Sequence, residues 1–471
     1  MSSASMIQLN SKAGHDTHLT KNPKALFFKK KFRQYVDFSI EPSEIPINNA
    51  GFGQNTRVEV TKSGDLLVRA WLDMDLTALS SSSSATTQVA YAPNLFHSCI
   101  NKMVWQIGNT PIDTHTGMWF DIWNEFTLPG DKLKGYNSMI GQENLTELHK
   151  GTGLYITMTE DVTGEDAGVA IGHEDGTDGN TVDEFAPMWY LENGAVTMGY
   201  NGFQTYKSSH AATTVYLPLL FWFNVNPGLA LPFCALVYTP INFSLEMKAS
   251  TSVVRYRTTP GSETAASTSY ITYPTVSACT LWLEEAIIPK KIRDLFASVL
   301  LTYIIPQVQT VDYSIVSATY RARLAFNHAV ASVFFGAQDT YALDENVHND
   351  FTVCNSSGVS TGVSTISTAQ FYIVNTERTP AMNWRYYNYM QPFMWFKKVP
   401  TLGYNVYTFS IRGHDLSTPS GTCNFSRVDG ELSVAYSTLG ASSRTGKLHI
   451  LATGFNVLFI GNSGALVRYL A

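Results

Sequence analysis

Carboxylates are the side chains of this sequence best suited to chemistry, and they occur in two settings. Asp73 and Asp75 alternate along a predicted strand, where they could serve as a general acid and base pair. Nine acidic residues, with no lysine or arginine, fall within residues 160–184, a segment that could bind calcium. Alternate residues of a strand share one face, here the polar face, and the acidic segment is glycine-rich and lacks EF-hand spacing. The patterns therefore favour a surface pair and an exposed loop.

The other motifs of enzymes and cofactor-binding proteins are missing from the sequence. Residues 440–448 approach a phosphate-binding loop, but one residue too many separates the glycines and a leucine follows the lysine. Gly51-Phe-Gly53 lacks the third glycine of a dinucleotide fingerprint, and His15 and His18 are isolated as metal ligands. Neither a Gly-x-Ser-x-Gly nor a His-Glu-x-x-His motif occurs. We predict no catalytic residue, no metal site and no cofactor.

The composition points to a protein whose surface is largely covered. Charged residues make up 15% of the 471-residue chain, whereas hydrophobic residues make up 44%. An average soluble protein carries about 25% charged residues. The net charge of −6 argues against a protein that wraps nucleic acid with its whole surface, so we expect no direct genome binding. The length predicts two or three domains.

The cysteines and the apolar stretches indicate a chain made in the cytosol. Five widely spaced cysteines favour reduced, packed thiols; they are Cys99, Cys234, Cys279, Cys354 and Cys423. Residues 1–16 contain no apolar run of the kind found in signal peptides. Residues 215–238 are apolar, but Pro218, Pro232 and the sequence Asn226-Pro-Gly interrupt them, which predicts a turn between strands and not a membrane span.

Two kinds of surface feature follow from short motifs. Four asparagines begin Asn-x-Ser/Thr sequences, and two of them, Asn242 and Asn424, lie in a predicted strand and a tight turn. This leaves Asn144 and Asn355 as candidate glycosylation sites. Residues 1–35 form a basic arm, which is either a solvated tail or a segment that docks on an acidic neighbour or an anionic lipid. Its basic residues are Lys21, Lys24, Lys29, Lys30, Lys31 and Arg33.

Period-two alternation predicts a β-rich protein from residue 38 onward. Along Leu66–Leu76, apolar side chains alternate with Arg69, Trp71 and the two aspartates, and the turn at residues 63–65 predicts a hairpin between this strand and residues 57–62. A second hairpin is predicted around Gly108-Asn109, and strand signals resume after residue 303. Helical signals are limited to residues 115–126 and 289–301, the second with Pro289 at its first helical position and serving as a linker.

Polar stretches interrupt the strands. We predict loops at residues 80–84, 160–184 and 352–368. Residues 419–429 form a dense polar turn between two predicted strands, which we interpret as a structural latch. The residues expected to shape the latch are Pro419, Gly421, Asn424, Arg427 and Asp429.

Several sequence blocks resemble the major capsid protein of nucleocytoplasmic large DNA viruses, in the order in which they occur in that family. The blocks are Ser39-Ile-Glu-Pro42, residues 55–76, residues 107–126 with Asp121-Ile-Trp-Asn124, residues 217–247 with Asn226-Pro-Gly, residues 323–328 with Phe326-Asn-His328, residues 419–429, and residues 452–460 with Asn456-Val-Leu458. Together they cover nearly the whole chain after the arm.

The resemblance implies an all-β fold of two consecutive eight-stranded jelly rolls with short helices and long loop insertions. It implies domains at 1–35 (arm), 36–288 (first jelly roll), 289–303 (linker helix) and 304–471 (second jelly roll). It also implies a structural protein of the virion, made and assembled in the host cytoplasm, whose homotrimers form pseudo-hexagonal capsomers of an icosahedral shell. Its partners would be neighbouring capsomers, minor capsid and penton proteins, and the internal viral membrane beside the arm. The 160–184 and 352–368 loops would face outward.

One alternative remains at this point. Jelly rolls also serve as carbohydrate-binding modules and as glycoside hydrolases, which use tryptophans and paired carboxylates in a concave sheet. The carboxylates of this chain concentrate in a loop and not in a cleft. A stable trimer without affinity for sugars would favour the capsid interpretation, and a monomer that binds or cleaves sugars would favour the alternative.

Overall fold

The computed structural model describes most of the chain after residue 33. The described residues are 3–11, 20–22, 28, 32, 34–83, 86–141, 173–174, 181–182, 189–192, 195–198, 206–258, 267–354, 360–439, 444–461 and 464–468. The chain forms two compact units, Met1–Phe38 and Ser39–Ala471. The first unit contains a helix, α1 (Ser3–Asn10), that the sequence analysis did not predict.

Strands dominate the second unit. Those of its first half are β1 (Ser39–Pro46), β2 (Asn55–Glu59), β3 (Leu66–Leu76), β4 (Leu79–Ser81), β5 (Thr87–Tyr91), β6 (Ile100–Ile107), β7 (Thr110–His115), β8 (His173–Glu174), β9 (Thr181–Val182), β10 (Trp189–Glu192), β11 (Ala195–Met198), β12 (Ser209–His210), β13 (Thr213–Pro218), β14 (Leu231–Pro232), β15 (Ile241–Met247), β16 (Val254–Thr258), β17 (Ile271–Thr272) and β18 (Val276–Ile287). Those of its second half are β19 (Leu301–Ile315), β20 (Thr319–Leu324), β21 (Ala329–Asp339), β22 (Thr352–Cys354), β23 (Ser360–Ser364), β24 (Ile366–Ile373), β25 (Thr376–Glu377), β26 (Met382–Asn383), β27 (Asn405–Thr408), β28 (Cys423–Asn424), β29 (Gly430–Tyr436), β30 (Gly446–Gly461) and β31 (Gly464–Val467).

The helices of the second unit are short and lie between strands. They are α2 (Leu95–Cys99), α3 (Gly117–Thr127), α4 (Gly130–Met139), α5 (Trp222–Val225), α6 (Lys290–Ser298), α7 (Thr340–Asp344) and α8 (Gln391–Trp395). Single tighter or wider helical turns cover Pro227–Leu229, Phe233–Ala235, Ser250–Val253, Thr268–Tyr270 and Tyr386–Met390. No helix in the described residues combines the length and apolarity that crossing a membrane requires.

The strands form two sandwiches with the same internal order. In the first, one sheet runs β1-β18-β3-β13 and the facing sheet runs β2-β15-β6-β7. In the second, the corresponding sheets run β19-β30-β21-β27 and β20-β29-β24-β25. In each sandwich the first strand therefore lies beside a late strand, and the second strand lies in the opposite sheet. This arrangement is the double jelly roll that the family resemblance implied.

Each jelly roll buries its own apolar core, because the alternation along the strands turns one side of every sheet inward. In β3, Leu72, Met74 and Leu76 are buried as predicted, but a register shift opposite Glu284 and Glu285 of β18 turns Leu67 inward in place of Val68. The first core also receives side chains from the second roll, at the ends of β19, β30 and β31. The two rolls therefore share buried surface.

Two local predictions were correct and one was wrong. β6 and β7 form the hairpin expected around Gly108, and α3 occupies the first predicted helical segment. The hairpin predicted between residues 57–62 and β3 does not form, since β2 pairs with β15 in one sheet and β3 pairs with β18 and β13 in the other. The turn at residues 63–65 therefore carries the chain from one sheet of the sandwich to the other.

Two further predictions need correction. Residues 352–368 were predicted to form an exposed loop, but β22 and β23 pair there and β24 begins at Ile366. Buried hydrogen bonds replace apolar contacts in this segment: the Thr365 hydroxyl donates to the carbonyls of Ala337 and Phe351, both at 2.9 Å. Pro289 is the residue before the first turn of α6 and not its first helical residue, since the helix begins at Lys290.

Candidate functional site

Among the described residues, the groups that might have carried chemistry have structural partners. The Asp75 carboxylate accepts from the Thr214 hydroxyl (2.5 Å), and the Asp73 carboxylate accepts from the Trp282 indole (3.0 Å). The described ranges contain no group of three or more histidines, cysteines or carboxylates arranged to hold a metal ion. All five cysteines are free thiols. Asp73 and Asp75 therefore join β3 to its two neighbouring strands, β18 and β13.

Several residues singled out by the sequence lie outside the described residues. In the arm, only Lys21 among the basic residues is described, and it is exposed. Lys24, Lys29, Lys30, Lys31 and Arg33 fall outside the described ranges, as do both candidate glycosylation sites, Asn144 and Asn355. Of the acidic segment at residues 160–184, only β8 and β9 are described, and they pair with each other.

The turn at residues 419–429 crosses the edge of the second roll. Gly421 has φ of +143°, and a Cβ at this position would lie 2.5 Å from the Phe409 carbonyl oxygen, so only glycine fits. Asn424 pairs with Ala329 at the start of β21, and its side chain accepts from the Ser426 amide at 3.0 Å. Pro419 is exposed. The polar residues therefore shape the turn at its surface.

The buried anchor of this turn is an aromatic residue that the sequence analysis did not single out. Phe425 is 6% exposed and packs against Phe326 and Phe409, with ring centroids 6.2 and 5.9 Å away. In contrast, Asp429 forms an exposed ion pair with Arg323 (3.0 Å), and the Arg427 side chain is exposed. The signal in the sequence was a single phenylalanine within a polar run. Burial of Phe425 holds the turn more strongly than an exposed ion pair does.

The two rolls meet at a seam built around α3. We use the term seam for the contacts of α3 and the loops beside it with the second roll. Trp119, Trp123 and Phe126 of α3 surround Phe334 of β21, with ring centroids 6.0, 6.3 and 5.2 Å from it, and Phe126 also contacts Phe396 at 5.3 Å. All of these rings are buried. The seam therefore has an aromatic core of its own, which fixes one roll against the other.

Polar contacts flank the aromatic core of the seam. On one side, the Gln307 amide donates to the Ile112 carbonyl (2.5 Å), and the Val308 amide donates to the Asp113 carboxylate (3.2 Å). On another side, Glu125 of α3 accepts from Lys398 (3.4 Å) and from the Thr401 amide (3.3 Å). Such directional contacts set the register of the two rolls, while the rings supply most of the apolar burial.

A third group of contacts ties the loop after α7 to the first roll. The Asn346 amide donates to the carbonyls of Thr251 and Val254, both at 2.8 Å. The His348 Nε2 donates to the Ser252 carbonyl at 2.8 Å. Burial, and then the nearby Lys248 ammonium, lower the pKa of His348 to about 4. At neutral pH this histidine is therefore uncharged and acts as a hydrogen-bond donor.

Large apolar side chains remain exposed on both rolls. On the second roll, Tyr389, Met390, Phe393 and Met394 are 38, 51, 77 and 45% exposed; we call these four residues the Phe393 patch. On the first roll, Val237 and Tyr238 are 60 and 87% exposed. Residues 386–396 form an apolar run without strand alternation, which is a signal that sequence reasoning passed over. Contiguous exposed apolar side chains are typical of surfaces that another protein covers.

Family comparisons match both halves of the chain. The model described as "Major capsid protein N-terminus" matches residues 26–284, and the model described as "Large eukaryotic DNA virus major capsid protein" matches residues 293–465. The major capsid protein of Pyramimonas orientalis virus is 26% identical, with 96% of each chain covered. That of Paramecium bursaria Chlorella virus 1 is also 26% identical, with 92% of this chain and 87% of the relative covered.

Solved structures show the same fold. The Faustovirus major capsid protein superposes with a TM-score of 0.68 at 14% identity, covering 97% of this chain and 96% of that chain. A chain of the PBCV-1 virus capsid superposes with a TM-score of 0.67 at 19% identity, covering 95% of this chain and 100% of that chain. Both similarities extend over the two rolls together, so the pair of rolls is the common unit.

Proposed function

This chain belongs to the major capsid proteins of large eukaryotic DNA viruses, and we propose that three copies of it associate into a capsomer of near-hexagonal outline. It is a structural protein of the virion that associates with copies of itself, and it is not an enzyme. The observation that supports the trimer is the pair of rolls with one strand order, joined at a buried aromatic seam. Three such pairs present six similar edges.

The contacts between copies involve exposed apolar surface in this proposal. The Phe393 patch is the best candidate, since Phe393 projects 77% of its surface and methionines flank it. Aromatic residues and methionine are enriched in the centres of protein interfaces, and lysine and glutamate are depleted. The low overall charge of the chain fits extensive coverage by neighbours. The turn at residues 419–429 lies near such a shared surface in this scheme.

The remaining assignments rest on the family and on charge. The basic arm at residues 1–35 faces inward, beside minor capsid proteins or an internal membrane, and penton proteins contact the capsomers at the vertices. The acidic segment at residues 160–184 faces outward, and particles assemble in the host cytoplasm. The domains are 1–35, 36–288, 289–303 and 304–471. The basic composition of the arm supports contact with an acidic neighbour or an anionic lipid surface.

Solution mass tests the proposed trimer. Light scattering coupled to size exclusion should give about three times the 52.1 kDa chain mass. Phe393→Asp should reduce the mass to that of a single chain, because it places a charge in the centre of the contact. Val316→Asp, at a site that is 74% exposed, is the matched control and should remain a trimer. A wild-type monomer, or a trimer unaffected by Phe393→Asp, would contradict the proposal for this surface.

A further inference from the structure

A cavity with several charged side chains in its wall lies in the seam, beside the aromatic core. Its volume is about 190 Å³, which is ample for several water molecules or a small hydrated ion. Both rolls contribute charged or titratable side chains to its wall, the first roll with His97, Asp121 and Lys248 and the second with Asp312, His348, Lys447 and His449. Charged groups in such a wall favour a polar occupant over an apolar one.

Lys248 is the cation in this wall without a counterion in contact. Within the described part of the chain, its ammonium forms no hydrogen bond or ion pair, whereas Lys447 pairs with Asp312 at 2.9 Å. Asp121, the other carboxylate of the wall, is already bound by the His97 imidazole at 2.5 Å and by the Asn94 amide at 2.8 Å. Burial lowers the pKa of Lys248, and the charge of Asp121 opposes that shift. The Lys248 ammonium therefore has the Asp121 charge nearby but no partner in contact within the described residues.

Backbone dipoles add positive potential at the same place. Helix α3 begins at this wall: Thr116 caps it, and Gly117 and Met118, its first two residues, line the cavity. The first amides of a helix lack partners within the helix and carry partial positive charge. Gly117 permits this position, because a Cβ there would lie 2.0 Å from the His97 carbonyl oxygen. The end of α3 and the Lys248 ammonium thus point to the same occupant.

His449 lies in the same wall, between two hydrogen-bond acceptors. Its Nδ1 faces the Asp312 carboxylate (2.8 Å), and its Nε2 faces the Gln338 amide oxygen (3.1 Å). The orientation of the Gln338 amide is set by its own NH₂ group, which donates to the His348 carbonyl at 2.5 Å. Both nitrogens of His449 therefore face acceptors, an arrangement that the imidazolium satisfies fully, whereas burial lowers the pKa of this histidine. A bound anion favours the protonated form, because it supplies the opposite charge that the buried imidazolium lacks.

We propose that the cavity binds one small oxyanion of the phosphate or sulfate class, which bridges the two rolls. The Lys248 ammonium and the first amides of α3 contact it from the first roll. Lys447 and His449 contact it from the second roll, so that groups of both rolls share one ligand. An anion here closes the seam at a point where the aromatic core does not reach, so its binding stabilises the pair of rolls.

Thermal unfolding of the full-length protein in inorganic phosphate, at constant ionic strength, tests this site. The midpoint should rise with the logarithm of phosphate concentration, as for a ligand that binds only the folded state. Lys248→Met should raise the apparent Kd for phosphate about tenfold or more, the effect of losing one charge-assisted hydrogen bond. Lys291→Met, at an exposed lysine of α6, should behave like the wild type. Equal midpoint shifts in Lys248→Met and the wild type, or no shift in either, would overturn the proposal.

A second variant and a direct measurement cover the case in which Lys248→Met does not fold. Lys447→Gln removes a half-exposed ion pair and should weaken phosphate binding roughly threefold. Broadening of the phosphate ³¹P resonance in the presence of the protein reports binding directly. If Lys447→Gln broadens this resonance as much as the wild type does and leaves the Kd for phosphate unchanged, the site is not the one proposed. Adenosine monophosphate distinguishes the source of the anion. If it displaces inorganic phosphate at a similar concentration, the site accepts the phosphate group of a nucleotide. If it does not displace phosphate, the site binds an inorganic ion.

Discussion

The two jelly rolls share a strand order but hold their aromatic cores differently. In the first roll, Trp105 contacts Phe221, Phe223 and Phe243 with ring centroids 5.6, 4.9 and 6.0 Å away, and its indole N–H has no acceptor within the described residues. The centre of this core is therefore held by packing alone. Its stability depends on the fit of the rings and on their burial.

In the second roll, tyrosines take the corresponding role. Tyr387 contacts Phe335 (5.4 Å) and Phe371 (5.9 Å), while its hydroxyl bonds to the Ala369 carbonyl (3.0 Å) and the Thr379 hydroxyl (3.1 Å). The central ring of one roll is thus held by apolar packing, whereas Tyr387 of the other combines packing with buried hydrogen bonds. Fold therefore depends on the pattern of burial, and the chemistry of the buried residues can vary between the rolls.

The largest expected effect is in the apolar core of the first roll. Trp105→Ala should lower the free energy of unfolding by about 4 kcal/mol, since it removes a fully buried ring and leaves a cavity. Trp105→Phe keeps a ring and removes the N–H that lacks an acceptor, so it should cost under about 1.5 kcal/mol. Urea unfolding measures both. Similar losses for the two variants would show that the indole N–H contributes to stability after all.

The turn at residues 419–429 allows a comparison, within the second roll, between the stability contributed by a buried ring and that contributed by an exposed polar side chain. Phe425→Ala should cost about 3 kcal/mol, because Phe425 is buried between two other aromatic rings. Arg427→Ala, at an exposed side chain, should cost less than about 0.5 kcal/mol. Both are measured by urea unfolding. A larger loss for the arginine variant would mean that polar contacts, and not the phenylalanine, hold the turn.

The seam should be sensitive to acid through His348. Its pKa is lowered to about 4 in the folded protein, so between about pH 6.5 and pH 4 the unfolded chain binds more protons at this position. Stability should therefore fall by about 1 to 2 kcal/mol when the pH drops from 7 to 5. His348→Gln keeps a donor for the Ser252 carbonyl but does not titrate. The free energy of unfolding of this variant should therefore fall less between pH 7 and pH 5 than that of the wild type. His414→Gln is the control, and an equal pH dependence in all three proteins would refute this role.

The smallest effect concerns the Tyr387 hydroxyl, which distinguishes this ring from Trp105 in the first core. Tyr387→Phe should cost about 1 kcal/mol, since it removes one buried hydroxyl while the ring remains in place. Tyr238→Phe, at a side chain that is 87% exposed, should change nothing measurable. The difference between the unfolding midpoints of these two variants isolates the buried hydrogen bonds. Equal midpoints would mean that the hydrogen bonds of the Tyr387 hydroxyl add nothing measurable to stability.

Much of the fold was predictable because it follows from local pattern. Alternating apolar residues identified β3, and a glycine-containing turn identified the β6–β7 hairpin. The pattern failed at residues 352–368, where threonine and serine are buried and satisfied by hydrogen bonds. It failed as well at residues 63–65, since a turn can either close a hairpin or cross between sheets. The hydrophobicity of a few consecutive residues does not reveal whether threonines are buried with partners or which strand follows a turn in the same sheet.

The sequence alone specified strands, the absence of enzyme motifs and the family to which the chain belongs, because these depend on residue types at short or fixed spacing. The seam depends on the meeting of Trp119 with Phe334, and the cavity beside it on the meeting of Lys248 with His449, residues that lie far apart in the chain. Phe425 likewise became an anchor only when Phe326 and Phe409 were folded against it. Burial, charge balance and hydrogen-bond satisfaction are properties of such encounters, and they exist only once the two rolls have formed and packed together.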